Sequence, residues 1–203
     1  MAKLYFYYAS MNSGKSAMLL QASFNYRERN MNTLLFISQL VNLDYIYSRI
    51  GLKENAISFC EEFNFFDYIK NVILESGQKL NCILIDEAQF LNKKQVFQIC
   101  EVVDKLNIPV LCYGLRSDFR AEPFEGSKYL LILADKLCEL KTMCPCGKKA
   151  IMNMKKAKNI KKDDIEEGTL EGDKIDIGGD KYISLCRKCY FKKLYNFKKL
   201  HNF

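Results

Sequence analysis

The sequence predicts an α/β protein with a mainly parallel sheet, helices on both faces of that sheet, and a smaller cysteine-bearing domain at the C-terminal end. Continuous apolar segments such as Thr33–Ile37 and Cys82–Ile85 alternate with segments of helical periodicity. This pattern is typical of a parallel sheet that is covered on both sides. The composition changes near residue 141, where closely spaced cysteines begin. We therefore predict one domain over residues 1–141 and a second over residues 142–203.

The first predicted strand leads into a phosphate-binding motif. The apolar run that starts at Tyr5 breaks into a short loop, closes on Gly14, Lys15 and Ser16, and continues as an apolar helical stripe. A P-loop needs inward-turned backbone N–H groups, a lysine for the β/γ-phosphates, a hydroxyl for Mg²⁺ and a helix N-terminus. Ala9 replaces the usual first glycine, but the spacing favours phosphate binding over an ordinary helix start. The predicted phosphate-binding residues are Ala9, Ser10, Met11, Asn12, Ser13, Gly14, Lys15 and Ser16.

The remaining elements follow from periodicity and from breaker residues. Residues 39–56 are less regular, and we expect a flexible loop or a short helix there. The predicted helices span residues 15–29, 61–76, 95–105 and 127–137; the predicted strands span residues 33–37, 82–85 and 108–113, and residues 139–143 are expected to be extended.

Two acids, Asp86 and Glu87, follow directly after four apolar residues. Ligands of an open α/β sheet bind at the carboxyl ends of its strands, so we expect this pair beside the P-loop. An acid in this place is a Walker B element, which holds Mg²⁺ directly or through water. One acid can serve the metal while the other accepts a proton from an attacking hydroxyl or water. The alternative is that both acids merely face solvent.

Composition limits the class of protein. The chain has 203 residues, is 49% hydrophobic and carries a net charge of +7. Residues 141–203 contribute 16 Lys/Arg against 8 Asp/Glu, which suits either an acidic ligand or a solvated lysine-rich face. No apolar run approaches the roughly 18 residues of a membrane span. Nine cysteines without a secretory signal favour a reducing, cytoplasmic setting.

The cysteines fall into two groups. A C-x-C pair and a C-x-x-C pair, 39 residues apart, provide the four thiolates that structural zinc requires, although a redox pair or free thiols remain alternatives. The single cysteines lie in apolar segments and are expected to be small core residues. The predicted zinc ligands are Cys144, Cys146, Cys186 and Cys189; the predicted core cysteines are Cys60, Cys82, Cys100, Cys112 and Cys138.

Two further C-terminal segments carry expectations. The part of the chain between the two cysteine pairs has acids and four glycines over residues 163–180, which predicts either a substrate-covering flap or a solvated surface loop. A repeated Phe-Lys-Lys-Leu at residues 191–194 and 197–200 predicts a basic amphipathic helix or a frayed tail.

Taken together, these motifs resemble the cytosolic-type (type II) thymidine kinases. The resemblance rests on residues 9–16, 86–90, 113–120 and 177–182 and on the four paired cysteines, in order, from Leu4 to about Tyr190. It implies a P-loop NTPase-like fold and transfer of the γ-phosphoryl group of ATP to the 5′-hydroxyl of thymidine or deoxyuridine. It also implies a homotetramer that is inhibited by deoxythymidine triphosphate, with no membrane or nucleic-acid partner.

The resemblance assigns residue roles as well. It implies that Glu87 is the general base, that Lys15 and the loop amides hold the phosphates, and that Ser16 and Asp86 serve Mg²⁺. The segment Asp86, Glu87, Ala88 and Gln89 belongs to the nucleotide site by the same pattern. The residues that the resemblance places around the thymidine base are Met11, Phe90, Phe124 and Tyr182, with Ile177, Gly178 and Gly179 in a zinc-tethered lasso.

Two other functions fit parts of the sequence. Residues 86–89 also resemble a helicase Walker B box, and the tail is basic, so a nucleic-acid-dependent NTPase with a zinc ribbon is an alternative. A helicase needs a second nucleotide-binding lobe, however, and about 140 residues make only one. A non-catalytic zinc-ribbon module would leave the P-loop unexplained.

Overall fold

The computed structural model describes the backbone of residues 1–156, 168–169 and 181–200, with side chains for residues 1–156 and 181–194. The helices are α1 (Lys15–Arg27), α2 (Phe65–Ser76), α3 (Lys93–Leu106), α4 (Glu125–Leu133) and α5 (Arg187–Leu200). The strands are β1 (Leu4–Ala9), β2 (Asn32–Ser38), β3 (Tyr45–Tyr47), β4 (Lys53–Asn55), β5 (Ile57–Phe59), β6 (Leu80–Ile85), β7 (Val110–Leu115), β8 (Lys136–Glu139), β9 (Thr142–Met143), β10 (Lys149–Ala150), β11 (Met152–Lys156), β12 (Gly168–Thr169) and β13 (Tyr182–Leu185). Short 3₁₀ turns span Gln39–Val41 and Ala88–Phe90.

Six strands form the central sheet in the order β5-β2-β6-β7-β1-β8. The pairings of β2 with β5 and β6, of β6 with β7, and of β1 with β8 are parallel. Phe36 of β2 lies opposite Ile85 of β6, so these strands end at the same edge of the sheet. The mainly parallel α/β sheet predicted from the sequence is confirmed.

The central strands are apolar on both sides because both faces of the sheet are covered. Ile83 and Ile85 of β6 belong to one hydrophobic cluster, which includes side chains of α2, α3 and α4. Leu84 belongs to another cluster with Leu19 and Leu20 of α1. Successive side chains of a strand point to opposite faces, so three helices cover one face and α1 covers the other.

Side-chain caps determine where two helices begin. The prediction started a helix at residue 61, but α2 begins at Phe65, because the side-chain oxygen of Asn64 accepts a hydrogen bond from the N–H of Asp67 at 3.2 Å. A capping box between Asn92 and Gln95 starts α3 two residues before its predicted first residue. These caps satisfy N–H groups that have no partner within the helix.

Residues 39–56 differ from the prediction of a flexible loop or short helix. A 3₁₀ turn leads into an antiparallel hairpin formed by β3 and β4. The hairpin contacts the end of α1 through Arg27, whose Nη2 lies 2.8 Å from Glu54 Oε2. Each strand has only three residues, which is too short for an alternating pattern to stand out in the sequence.

Two other predictions were wrong in part. The helix predicted over residues 127–137 ends at Leu133, and residues 136–139 instead form the edge strand β8, which pairs with β1. Among the single cysteines, Cys82 and Cys112 are buried, but Cys60 is exposed, and Cys100 and Cys138 are only partly buried.

The chain divides into two compact units. The first contains Met1–Tyr8, Gly14–Arg116 and Phe124–Leu140, and the second contains Ala9–Ser13, Ser117–Pro123 and the described residues from Lys141 on. The predicted linear boundary lay between residues 141 and 142; the second unit also takes in two short earlier segments, which a linear division does not include.

The described part of the second unit contains two small antiparallel sheets. Strand β11 pairs with β12 and β13, and β9 pairs with β10. Its core contains Met154, Leu185 and Tyr190 beside two of the paired cysteines. The basic C-terminal segment is helical, as α5. Apart from β12, the predicted flap over residues 163–180 lies outside the described residues.

Among the described helices, none combines the length and the apolar character that a membrane crossing requires.

Candidate active site

Lys15 is a buried cation in the first turn of α1. Its residue is only 8% exposed, and this burial lowers its pKa, while the negative charges of Glu87 and Asp86 act in the opposite direction. The helix N-cap is Gly14, with a φ of 78°, and it provides no side-chain cap. The N-terminus of α1 therefore combines the partial positive charge of the helix with a desolvated ammonium group.

Asp86 lies directly after β6 and is also buried. Burial and the neighbouring charge of Glu87 raise the pKa of Asp86 to about 7. Three groups oppose that rise: the Ser16 hydroxyl and the N–H of Glu87, through hydrogen bonds, and Lys15, through its charge. The N–H of Glu87 donates to Asp86 Oδ1 at 3.0 Å. The serine that ends the P-loop motif and the acid that ends β6 are therefore hydrogen-bonded neighbours.

This donor set fits a magnesium ion. Two acids and one ammonium group lie at this end of the sheet, where Asp86 and Lys15 are buried and burial raises the pKa of the Asp86 carboxyl. A divalent cation next to Asp86 would favour the ionised carboxylate. Carboxylate and hydroxyl oxygens, such as those of Asp86 and Ser16, are ligands that Mg²⁺ accepts.

The loop Ala9–Ser13 belongs to the second unit, and side chains of that unit hold its backbone. The N–H of Met11 donates to Asn153 Oδ1 at 2.8 Å, and the hydroxyl of Ser184 donates to the carbonyl of Met11 at 2.6 Å. The hydroxyl of Thr142 donates to the next carbonyl at 3.2 Å. The loop backbone is therefore fixed by neighbouring strands, and a fixed backbone is what an anion-binding loop requires.

Asn153 is a functional candidate that the sequence analysis missed. It is 2% exposed, and while its Oδ1 accepts from Met11, its Nδ2 donates to the carbonyl of Ser117 at 3.0 Å. One side chain therefore connects two loops of the second unit. The available signal was a polar residue between Met152 and Met154 in a short strand, which does not indicate a partner far away in the chain.

Phe90 and Phe124 meet edge to face in the first unit, with ring centroids 5.8 Å apart and an angle of 81° between the rings. Phe90 ends the 3₁₀ turn after the acidic pair, and Phe124 is the N-cap of α4. A Cβ atom on Gly126 would lie 2.5 Å from the carbonyl oxygen of Ala88. Only glycine allows α4 to approach the turn this closely, so the position of both rings depends on it.

The two units divide the predicted site residues between them. Gly14, Lys15, Ser16, Asp86, Glu87, Ala88, Gln89, Phe90 and Phe124 lie in the first unit, whereas Ala9, Ser10, Met11, Asn12, Ser13 and Tyr182 lie in the second. The ring of Tyr182 contacts that of Phe119, with centroids 6.1 Å apart. Ile177, Gly178 and Gly179 lie outside the described residues.

The four paired cysteines converge in the second unit. The Sγ atoms of Cys144, Cys146, Cys186 and Cys189 all lie within 4.8 Å of one another. Zn–S bonds of about 2.3 Å in a tetrahedron place the sulfurs about 3.8 Å apart. Cys146 Sγ lies 3.4 Å from Cys144 Sγ and 3.7 Å from Cys186 Sγ, so the cluster fits a zinc ion whose four positions are all filled by protein.

Neighbouring groups shift the pKa values of two of the four cysteines in opposite directions. The backbone N–H of Cys189 lowers the pKa of Cys186 to about 7. Hydrogen bonds with the thiols of Cys146 and Cys186 raise the pKa of Cys189 to about 12. Four thiolates this close together repel one another, and a divalent cation offsets that repulsion.

We predict one zinc ion per chain and a selective effect of removing a ligand. Cys146→Ser should lose the metal and lower the melting temperature, because the zinc stabilises a unit with a small core. Metal analysis and thermal unfolding of the purified protein measure both effects. Cys60→Ser is the matched control, since Cys60 is another exposed cysteine outside the cluster. Far less than one equivalent of zinc in the unmodified protein would contradict the assignment.

Comparison with known proteins agrees with this geometry. The family model described as thymidine kinase matches residues 2–190. The chain is 56% identical over 198 residues to a thymidine kinase of Zymomonas mobilis, covering 96% of this chain and 98% of that protein. It is 53% identical over 198 residues to a thymidine kinase of Aliivibrio fischeri (96% and 99% covered). It is 51% identical over 208 residues to one of Mannheimia succiniciproducens, with both chains covered completely. The chain belongs to the thymidine kinase family.

Proposed function

We propose that this chain transfers the γ-phosphoryl group of ATP to the 5′-hydroxyl of thymidine, giving thymidine monophosphate and ADP, with deoxyuridine as a second substrate. The observation that carries the proposal is the buried Lys15 beside Asp86 and Glu87, in a chain that matches the thymidine kinase family over residues 2–190. A phosphate-binding cation next to two acids is the arrangement that phosphoryl transfer needs.

We assign the polyphosphate of ATP to the P-loop. Its proposed contacts are Lys15, the backbone N–H groups of residues 9–16 and the N-terminus of α1. The hydroxyl of Ser13 is buried and has no hydrogen-bond partner among the described residues, which suits a group that binds an oxygen of the ligand. Ser16 and Asp86 are the proposed ligands of Mg²⁺, which when bound neutralises charge on the phosphoryl oxygens.

Glu87 is the proposed general base. As the 5′-oxygen of the nucleoside bonds to the γ-phosphorus, the bond from that phosphorus to the β,γ-bridging oxygen breaks and ADP leaves. The proton of the 5′-hydroxyl passes to the carboxylate of Glu87. Lys15 stabilises the negative charge that is redistributed on the phosphates, and this electrostatic contribution together with positioning provides most of the catalysis.

The nucleoside base is assigned to apolar and aromatic residues. A planar base has large apolar faces and few polar edges, so aromatic walls with backbone hydrogen bonds suit it. The edge-to-face pair of Phe90 and Phe124 supports such a wall. The proposed residues around the base are Met11, Phe90, Phe124, Ile177, Gly178, Gly179 and Tyr182.

Family membership also motivates proposals about assembly and regulation. We propose a homotetramer, inhibition by deoxythymidine triphosphate as the end product of the pathway, and a cytoplasmic setting. The last of these is consistent with nine cysteines that form no disulfide, since thiols and metal-bound thiolates persist in reducing compartments.

Phosphoryl transfer is tested directly by incubating the protein with γ-labelled ATP, Mg²⁺ and a panel of deoxynucleosides. We expect label in the monophosphates of thymidine and deoxyuridine and little in those of the purine deoxynucleosides. The control reaction replaces the nucleoside with single-stranded nucleic acid. ATP hydrolysis stimulated by nucleic acid, with no label in any nucleoside, would support the alternative NTPase function.

Glu87→Gln should reduce kcat by roughly 10² to 10⁴, because it removes the base and keeps the shape of the side chain. The fold and ATP binding should remain close to those of the unmodified protein, as measured by thermal unfolding and nucleotide titration. Glu101→Gln is the control, since Glu101 is an exposed residue of α3 that forms an ion pair with Lys105. A Glu87→Gln protein with more than about a tenth of the original kcat would exclude this role.

Asn153→Leu should weaken ATP binding more than it slows turnover. The change removes both hydrogen bonds of a buried side chain, each worth about 1 kcal/mol, so we expect the KM for ATP to rise about 10- to 30-fold. Steady-state kinetics at saturating thymidine measure the effect. Asn81→Leu is the control, because Asn81 lies near the start of β6, where its side-chain oxygen accepts from the backbone N–H of Asn32. An unchanged KM for ATP in a folded, zinc-replete variant would show that the loop does not need this contact.

A further inference from the structure

We propose that Gln89 is a positioning residue that orients the carboxylate of Glu87 for proton transfer. The inference rests on the proposed function, since it assumes that Glu87 is the general base. Gln89 is 2% exposed, and both ends of its amide bind protein groups. Its Nε2 donates to Glu87 Oε2 at 2.5 Å, and its Oε1 accepts from the backbone N–H of Leu115 at 3.0 Å.

The two contacts determine which way the amide points. The N–H of Leu115 is a donor, so only the carbonyl oxygen of Gln89 can face it. The amide nitrogen must then face Glu87, where it meets an acceptor. Turning the amide over would place two donors together at Leu115 and two oxygens together at Glu87. The structure therefore requires one orientation, in which a hydrogen-bond donor is aimed at the acid.

The far end of this connection is itself firmly held. Leu115 is the last residue of β7, and while its N–H binds Gln89, its carbonyl oxygen accepts from the hydroxyl of Ser127 on α4. The neighbouring Gly114 makes room for the amide, because a Cβ atom there would lie 2.9 Å from Gln89 Oε1 and 3.0 Å from the backbone nitrogen of Gln89. Gln89 therefore connects Glu87 to a rigid strand of the central sheet.

The backbone of Glu87 is strained. Its φ of 52° and ψ of 38° are left-handed, a conformation that glutamate rarely adopts. It precedes a 3₁₀ turn of three residues, and the hydrogen bond from Gln89 fixes the direction of its side chain. The amide binds Oε2, so we assign proton acceptance to Oε1. A carboxylate held by one oxygen and presenting the other is pre-organised for general-base catalysis.

The first test is Gln89→Met, which keeps the length of the side chain and removes both hydrogen bonds. We expect kcat to fall about 10- to 100-fold, because small displacements of a reacting group cost this much. The KM values for ATP and thymidine should stay within about threefold of the original, because the proposed role concerns the reacting carboxylate and neither binding site. A residue with a merely structural role would lower stability or raise KM and leave the kcat of the folded protein unchanged.

The chain offers a matched control at a second buried glutamine. Gln95 is 1% exposed; its Nε2 donates to the carbonyls of Cys60, Glu61 and Phe63, and its Oε1 accepts from the N–H of Asn92. All its partners are backbone groups away from the acidic pair. Gln95→Met should therefore lower the melting temperature and leave kcat unchanged. The comparison separates loss of stability from loss of positioning.

Gln89→Asn provides a second variant should the methionine variant not fold. Asparagine keeps the amide but is one methylene shorter, so it cannot span both Glu87 and the N–H of Leu115, and the inference predicts a folded protein with a kcat reduced at least tenfold. Wild-type kcat in a folded Gln89→Met or Gln89→Asn protein would overturn the inference. Measuring Glu87→Gln in the same series separates the two failures. If Glu87→Gln is inactive and the Gln89 variants are fully active, only the positioning role fails; if Glu87→Gln is active, the base assignment fails first and the inference fails with it.

Discussion

The burial of the Lys15 ammonium group next to two carboxylates is the constraint on which the active-site edge of the sheet depends. A buried cation is tolerated only if opposite charge lies close by. Both carboxylates come from the end of β6, so the position of that strand in the sheet determines whether Lys15 can be accommodated. The parallel pairing of β6 with β2 and β7 therefore determines where the two carboxylates lie relative to the Lys15 ammonium group. The raised pKa of Asp86 and the lowered pKa of Lys15 express the same desolvation, and a bound nucleotide with its cation would use both charges.

The second unit holds the proposed phosphate-binding loop through side-chain hydrogen bonds. Among the residues that the structure describes, its hydrophobic core has seven buried members, of which two are cysteines, and a core of this size contributes little stability by itself. Zinc coordination can supply the folding free energy that such a small core does not provide. Strands β11 and β13 then carry Asn153 and Ser184, whose side chains hold Met11. The cysteine cluster that fits zinc and the backbone of the proposed phosphate-binding loop are thus parts of one compact unit.

Sequence alone predicted the features that have local signatures. The apolar strands Thr33–Ile37 and Cys82–Ile85, the acids that follow the second of them, and the four paired cysteines were all recognised by composition or spacing. The structure confirmed the parallel sheet and the convergence of the cysteines. The strands β3, β4 and β5 were missed because three residues are too few to show a period. The exposure of Cys60 was missed because an apolar neighbourhood in sequence does not determine burial.

The contacts of the two buried amides, Gln89 and Asn153, could not have been predicted from local patterns. Gln89 meets Leu115 across 26 residues of sequence, and Asn153 meets Met11 across 142. The resemblance assigns Gln89 to the nucleotide site, which stays a prediction; the structure adds that its side chain is bonded to Glu87 and to Leu115. A carboxamide suits both places because it offers a donor and an acceptor at a fixed separation and in one plane. A hydroxyl is too short to connect two chain segments in this way. A carboxylate or an ammonium group would offer only one kind of hydrogen-bond contact. Either group would also add a charge to a site whose charge balance is already determined by Lys15, Asp86 and Glu87.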